Sequence, residues 1–144
     1  MDTERYVTHS PEETEQIGRR FAATLKPGDV VALRGDLGAG KTAFVRGVAS
    51  LLTPGAEVQS PTFSLLRIYE GPLPLYHFDL YRTRDPEEVY EIGLDDCLDR
   101  GGAALIEWSE RAEGALPRGT ITVTLENPSH DDRRQITVRR GAPC

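Results

Sequence analysis

The stretch VVALRGDLGAGKTAFVRGV, residues 30–48, decides the fold. It begins with the apolar, β-branched run Val30–Leu33, which is typical of a strand buried on both faces of a parallel sheet. The glycine-rich segment Gly35–Thr42 follows directly and matches the pattern G-x-x-x-x-G-K-[ST]. Residues 42–52 then carry apolar side chains at helical spacing. A strand, a glycine loop and a helix in this order predict a P-loop, the turn with which many proteins bind phosphate.

The residues of this loop have defined tasks in phosphate binding. Glycines at 35, 38 and 40 allow backbone conformations whose N–H groups point at phosphate oxygens, and the helix adds its positive N-terminal end. The Lys41 ammonium is expected to reach the β- and γ-phosphates, and the Thr42 hydroxyl is expected to bind Mg²⁺. A glycine turn that only joins a strand to a helix is disfavoured by this context. Nucleotide contacts are predicted for Asp36, Leu37, Gly38, Ala39, Gly40, Lys41, Thr42 and Ala43.

A P-loop also requires a carboxylate for its metal ion at the end of another core strand, and two residues fit. Asp79 follows the apolar-rich run Leu75–Phe78, as a Walker B aspartate does, and a turn aspartate at a strand end is the alternative. Glu107 follows the apolar run Ala103–Ile106. From the residues alone, a metal-binding Glu107 and a solvated glutamate at a strand end explain the pattern equally well.

Three further features are weaker as signals. The segment SPTF at Ser60–Phe63 lies where switch-type P-loop proteins carry a nucleotide-sensing loop, and it would serve equally well as an ordinary turn. His77 is interpreted as a sheet residue rather than a base, and Trp108 by itself as a core residue. Because no Asn-Lys-x-Asp segment is present to read guanine, adenine is the expected base.

The remaining pattern predicts one α/β domain over residues 1–144. The expected fold is a three-layer, P-loop NTPase-like domain whose central sheet is partly parallel and carries antiparallel edge strands. A capping box at Ser10–Glu13 predicts the start of the first helix. The other expected elements are an edge strand at 5–8, a helix at 11–25, a hairpin of strands 64–70 and 73–79, helices at 85–92, 94–100 and 109–114, a strand at 103–106, and a hairpin of strands 121–125 and 135–138.

Composition narrows the range of roles. The chain has 23 acidic and 17 basic residues and a net charge of -6, which argues against tight, sequence-independent binding of nucleic acid by this chain alone. No apolar run approaches the roughly 20 residues that span a bilayer, and the N-terminus lacks a signal peptide, so a cytoplasmic location is expected. Cys97 and Cys144 form neither a disulfide framework nor a metal-ligand pair and are interpreted as free thiols.

Five motifs in order carry a family resemblance. They are GDLGAGKT at 35–42, SPTF at 60–63, YHFDLYR at 76–82, DPEE at 85–88 with Gly93 beyond it, and IEWS at 106–109. Together they resemble the TsaE (YjeE) family of bacterial ATPases, which support tRNA threonylcarbamoyladenosine synthesis. The resemblance spans most of the chain and is far more specific than the P-loop alone.

The resemblance implies a single α/β domain that binds ATP with Mg²⁺ and hydrolyses it slowly. It further implies that the protein is the energy-using partner of TsaB and TsaD, which act on the tRNA, and that partners stimulate its turnover. Trp108 matches a characteristic family tryptophan, whereas Phe63 stands where tyrosine is common and argues against an essential phenol there. The implied catalytic residues are Lys41, Asp79 and Glu107, the implied metal ligands are Thr42, Asp79 and Glu107, and further nucleotide contacts are Ser60, Thr62 and Trp108.

Two other functions compete with the ATPase. In the first, ATP changes the shape of the loop at Ser60–Phe63, and the protein is a regulatory binding module with negligible turnover. In the second, it is a small-molecule kinase, which needs an acceptor pocket. Only 36 residues separate Thr42 from Asp79 and leave little room for an acceptor-binding lid. Hydrolysis of the β–γ bond, catalysed by positioning and charge neutralisation, is therefore the expected reaction.

Overall fold

A seven-stranded sheet with helices against it is formed by residues 2–35, 40–55, 66–79, 93–107, 116, 119–127 and 132–140, which are the residues that the computed structural model describes. The strands are β1 (Asp2–Thr8), β2 (Val30–Arg34), β3 (Leu66–Tyr69), β4 (Leu75–Asp79), β5 (Ala103–Glu107), β6 (Ile121–Glu126) and β7 (Arg134–Arg140). The helices within these ranges are α1 (Pro11–Ala22), α2 (Lys41–Leu52) and α3 (Leu94–Asp99).

The sheet has the strand order β1-β7-β6-β2-β5-β4-β3. Its four middle strands, β6, β2, β5 and β4, run parallel to one another. The outer strands are antiparallel, since β7 pairs with β6, β1 pairs with β7, and β3 pairs with β4. This arrangement confirms the predicted sheet. Because parallel strands end at the same edge, the carboxyl ends of β2, β5 and β4 lie side by side, where ligands bind in sheets of this kind.

The first helix begins as its sequence predicts and ends early. The Glu13 N–H donates to the Ser10 side-chain oxygen over 3.1 Å, which satisfies one of the free donors at the start of α1. The helix ends at Ala22 and not at Leu25, because the N–H groups of Thr24 and Leu25 each donate to a carbonyl three residues back. Leu25 is nevertheless buried. Leu25 therefore packs into the core from the turn that follows the helix.

Apolar cores lie on both faces of the sheet, as a three-layer domain requires. The larger core fills the space between the sheet and the pair α1 and α2. The smaller core lies on the opposite face, where α3 packs on β5, and contains Val30, Tyr76, Phe78, Leu94, Cys97, Ala104 and Ile106. Cys97 is a free buried thiol, as predicted, and burial raises its pKa above the ordinary value.

The backbones of α1 and α2 approach closely at two glycines. A Cβ atom on Gly47 would lie 1.9 Å from the carbonyl oxygen of Glu15, and one on Gly18 would lie 2.3 Å from that of Phe44. Neither position can hold a side chain unless the helices separate. Nearby, the rings of Phe21 and Phe44 pack with their centroids 5.6 Å apart. The two glycines therefore allow the close approach of α1 and α2.

The predicted elements agree with the described part of the structure. The hairpins at 64–79 and 121–138 are present, although β3 and β4 are shorter than their predicted segments. The predicted helix at 94–100 is α3, and the predicted edge strand at 5–8 is part of β1. The helices expected at 85–92 and 109–114, and Cys144, lie outside the described residues. None of the helices in the described ranges has the length and apolar content needed to cross a bilayer.

Candidate functional site

Two glycines frame the predicted P-loop. Gly35, directly after β2, has φ of 153°, and Gly40, directly before α2, has φ of 99°. Both values lie in a region that residues with a side chain rarely adopt. A Cβ on Gly40 would find its nearest neighbour at 3.6 Å, so backbone angle rather than crowding requires glycine there. These backbone conformations agree with the need for glycine at 35 and 40, and the contact of their N–H groups with phosphate stays a prediction.

The N-terminal end of α2 has the properties of an anion site. The helix begins at Lys41, and the N–H of Phe44 donates to the Gly40 carbonyl in its first turn. Within the described residues no side chain caps this end. The N–H groups of a first helical turn have no partner inside the helix, and the helix dipole gives them a positive potential. Phosphate groups bind favourably at such an end.

The carboxyl edge of the sheet brings an acid to this helix end. The Lys41 Nζ atom lies 4.0 Å from Oε1 of Glu107, the last residue of β5. Both residues are 8% exposed. The distance exceeds that of a hydrogen bond, so this contact is electrostatic. Asp79, at the end of β4, is the register partner of Glu107 on the adjacent strand. The structure thus brings together the backbone positions of the two predicted carboxylates and Lys41.

A third polar residue joins this pair from beneath α2. His77 of β4 is 2% exposed, and its Nε2 lies 2.5 Å from Oε2 of Glu107. His77 was interpreted as a sheet residue, which it is, and the pattern did not reveal this contact. The sequence did contain a signal, because the alternation of a strand predicts that the side chains at 77 and 79 lie on the same side of β4. The sequence alone did not show that Glu107 lies on the neighbouring strand.

Side chains from both ends of the chain border the loop. Thr14 of α1, Leu125 of β6 and Arg134 of β7 all have atoms within 3.7 Å of where a Cβ of Gly40 would be. No motif in the sequence singled out these residues. The first helix and the C-terminal hairpin therefore contribute to the walls beside the helix end.

The structure leaves some predicted contacts untested. Thr42 is exposed and Ala43 is buried, both in the first turn of α2. For Asp79 the structure gives the strand position, and its role toward the metal stays a prediction. The other predicted site residues lie outside the described ranges and are Asp36, Leu37, Gly38, Ala39, Ser60, Thr62 and Trp108.

The chain is similar to known proteins over most of its length. A sequence model of the family described as "Threonylcarbamoyl adenosine biosynthesis protein TsaE" matches residues 8–136. The tRNA threonylcarbamoyladenosine biosynthesis protein TsaE of Treponema pallidum is 42% identical over 134 residues, which cover 93% of this chain and 98% of that protein. The protein of the same name in Bacillus subtilis is 43% identical over 134 residues, 92% of this chain and 83% of that one.

A solved structure is also similar. The crystal structure of Bacillus subtilis YdiB superimposes with a TM-score of 0.79 at 37% sequence identity, and the match covers 98% of this chain and 87% of that one. The match extends over nearly the whole chain, so it includes the outer antiparallel strands as well as the P-loop core.

Proposed function

The chain belongs to the TsaE family of threonylcarbamoyl adenosine biosynthesis proteins, and we propose that within this tRNA modification it is the component that binds and hydrolyses ATP. The observation that carries the proposal is the contact between Lys41, in the first turn of α2, and Glu107, at the carboxyl edge of the sheet. A lysine and a carboxylate meeting at a glycine-framed helix end match the requirements for holding a nucleotide phosphate and its metal.

The described donor set fits Mg²⁺. The hydroxyl of Thr42 and the carboxylate of Glu107 would supply oxygen ligands, the type that Mg²⁺ prefers, and Asp79 is a third candidate from the adjacent strand position. In the described ranges no three His, Cys, Asp or Glu residues cluster into a metal cage. Mg²⁺ is commonly held by one or two carboxylates, waters and substrate phosphates, so this sparse arrangement suits it. When bound, the ion would neutralise charge on the β- and γ-phosphate oxygens.

The protein's own residues carry the rest of the mechanism. The first-turn N–H groups of α2 orient the phosphates, and Lys41 neutralises charge that builds up as the β–γ bond breaks. Lys41 and Glu107 are largely shielded from water, which strengthens their electrostatic effect on the bound phosphates. Positioning and charge neutralisation account for the catalysis, and no covalent intermediate on the protein is needed.

We further propose that TsaB and TsaD are the partners and that tRNA is met only through the complex. The net charge of -6 supports an indirect role toward RNA, because a phosphate backbone is bound by basic surfaces. The sequence offers no evident arginine finger, a group that speeds phosphoryl transfer strongly when a partner supplies it. We therefore expect slow hydrolysis by the isolated chain, faster hydrolysis in the complex, and a cytoplasmic location.

The test is phosphate release from Mg-ATP by the purified chain, with and without TsaB and TsaD. Lys41→Ala should reduce stimulated release by about 100-fold or more, because a charge-stabilising group is removed from the reacting phosphates. Lys26→Ala is the matched control, since Lys26 is the other lysine of the chain and is exposed in the turn before β2. Nucleotide binding without stimulated release would instead support the switch module. Stoichiometric phosphorylation of a small acceptor would support the kinase.

A further inference from the structure

We infer that His77 is a positioning residue for Glu107, which it holds so that one carboxylate oxygen faces Lys41. The inference rests on the proposed function, because it concerns the orientation of a carboxylate toward the nucleotide site. The two oxygens of Glu107 have different neighbours: Oε2 lies 2.5 Å from His77 Nε2, and Oε1 lies 4.0 Å from Lys41 Nζ. The histidine and the lysine therefore contact the carboxylate from two sides.

The strand register explains how the contact forms. His77 is opposite Leu105 in the β4–β5 pair, and Glu107 is opposite Asp79, so His77 and Glu107 are diagonal neighbours across the two strands. Alternation along a strand brings residues two apart to one side of the sheet, which is here the side covered by α2. The imidazole is thus level with Leu105, two residues further from the carboxyl edge of the sheet than Glu107.

The surroundings of His77 make a purely packing role a poor explanation. Its ring belongs to an apolar layer, where Tyr69 lies with a ring centroid 6.2 Å away. Within the described residues its Nδ1 is buried and has no hydrogen-bond partner. Burying a polar group is unfavourable unless it is hydrogen-bonded, and here Glu107 supplies the bond to Nε2. A leucine would fill an apolar layer without this cost, so the use of histidine points to the carboxylate.

Fixing a carboxylate in this way has a chemical consequence. A glutamate at the end of a strand can rotate about its side-chain bonds, and each rotation moves the oxygen that faces the ligand. A hydrogen bond from a rigid, buried ring restricts that rotation before any nucleotide arrives. Groups that orient the ligands of a metal typically change metal affinity or activity about 10- to 100-fold when they are removed.

The experiment compares His77→Leu, which cannot donate a hydrogen bond, with His77→Gln, whose amide can. The first readout is the gain in affinity for a fluorescent ADP analogue when Mg²⁺ is added, and the second is ATP hydrolysis in the presence of TsaB and TsaD. We expect His77→Leu to remain folded, to lose about 10-fold of the Mg²⁺-dependent gain with a corresponding rise in KM for Mg-ATP, and to lower kcat by about 10- to 100-fold. His77→Gln should recover most of both losses. Leu105→Val, which alters the same apolar layer, should leave the Mg²⁺-dependent gain unchanged.

The outcomes separate this inference from the proposed function. If His77→Leu keeps the wild-type Mg²⁺-dependent gain and kcat, or if His77→Gln is impaired as severely as His77→Leu, the positioning role is wrong. If the wild-type chain binds nucleotide with a Mg²⁺-dependent gain that His77→Leu loses, yet never hydrolyses ATP, the positioning role stands and the ATPase proposal fails. A wild-type chain without a Mg²⁺-dependent gain would overturn the inference, whatever its hydrolysis rate.

Discussion

The first turn and the middle of α2 belong to one helix and do opposite things. The first turn follows Gly40, which makes no side-chain cap bond, and carries Lys41 beside the buried acid Glu107. The middle of the helix packs against α1, so closely that a Cβ on Gly47 would collide with the backbone of Glu15. The first region brings polar groups together, and the second has no room for a side chain at Gly47.

This difference shows how a small domain separates chemistry from stability. A phosphate site needs unsatisfied donors and a buried charge pair, and both are unfavourable in the folded protein without a ligand. Tight backbone packing elsewhere on the same helix can offset that cost and fix the direction in which the first turn points. Substitutions in the two regions should therefore have different effects. Those in the first turn should lower activity, and those in the middle of the helix should lower stability.

The largest effect is expected at Glu107. Glu107→Gln keeps the shape of the side chain and its contact distance to His77 but removes the charge. We expect partner-stimulated phosphate release to fall by about 100-fold while ATP still binds, because charge stabilisation of the reacting phosphates is lost. Steady-state phosphate release and a nucleotide-binding titration measure the two quantities. An unchanged rate would mean that Glu107 acts only on affinity, which is the behaviour of a switch module.

The next effect is on folding and is expected at Gly47. Gly47→Ala should lower the free energy of unfolding by about 1–3 kcal/mol, because the new methyl group meets backbone atoms that cannot move independently. Intrinsic helix propensity alone would predict a gain of about 1 kcal/mol, so the sign of the change is informative. Urea denaturation followed by circular dichroism measures it.

Arg46→Ala is the control for this substitution, since it changes the adjacent, exposed residue of α2 without touching α1. Its free energy of unfolding should stay within about 0.5 kcal/mol of the wild type, as is usual for a surface change. If Gly47→Ala is as stable as Arg46→Ala, the close approach of the two helices does not limit stability and the contrast between the two regions of α2 is lost.

Much of the fold follows from local pattern. The apolar run at 30–33, the glycine loop and the helical spacing after it predict β2, the loop and α2, because each depends on neighbours in sequence. The Ser10 cap and the alternating pattern at 121–125 are equally local, and both elements form where predicted. Such signals also identified Lys41 and Glu107, which the structure brings together.

The remaining features depend on which elements become neighbours. The sequence contains Gly18 and Gly47, yet only helix packing shows that each faces the backbone of the other helix. His77 and Glu107 are 30 residues apart, and their contact exists because β5 lies beside β4 in the sheet. The predicted end of α1 was wrong for a related reason. Leu25 continues the helical spacing of apolar residues, but it is buried by packing after the helix has ended at Ala22.

A smaller effect on stability is expected at the start of α1, the helix that holds the middle of α2. Ser10→Ala removes the oxygen that accepts from the Glu13 N–H and should lower the free energy of unfolding by about 1 kcal/mol. Thermal unfolding measures the change. Ser10→Asp is the matched comparison, because aspartate also caps helices and should retain nearly wild-type stability. The Ser10 hydroxyl bonds the Glu13 N–H and not Lys41 or Glu107, so a fall in stimulated phosphate release as large as that of Glu107→Gln would contradict the separation of the two regions.

The smallest effect is expected at the far edge of the sheet and appears only in acid. A hydrogen bond from the Tyr6 hydroxyl, and then one from Arg140, lowers the pKa of Glu4 below its ordinary value of 4.5. A carboxyl group whose pKa is lower in the folded state stabilises the protein above its unfolded pKa, and this contribution is lost as the pH falls through the folded pKa. Glu4→Gln should therefore be less stable than the wild type at pH 7, and the difference should shrink below pH 4.5.

Solvent screening limits the size of this effect, because the Glu4 side chain is 42% exposed, so we expect at most about 1 kcal/mol at pH 7. Urea midpoints measured between pH 7 and pH 3 for Glu4→Gln and for Glu70→Gln, another exposed glutamate, isolate the contribution of the Tyr6 and Arg140 contacts. Equal pH profiles for the two variants would show that these contacts add nothing to stability. Nucleotide affinity at pH 7 should be the same in both, because Glu4 is on the outer strand β1, which three strands, β7, β6 and β2, separate from the Glu107 strand β5.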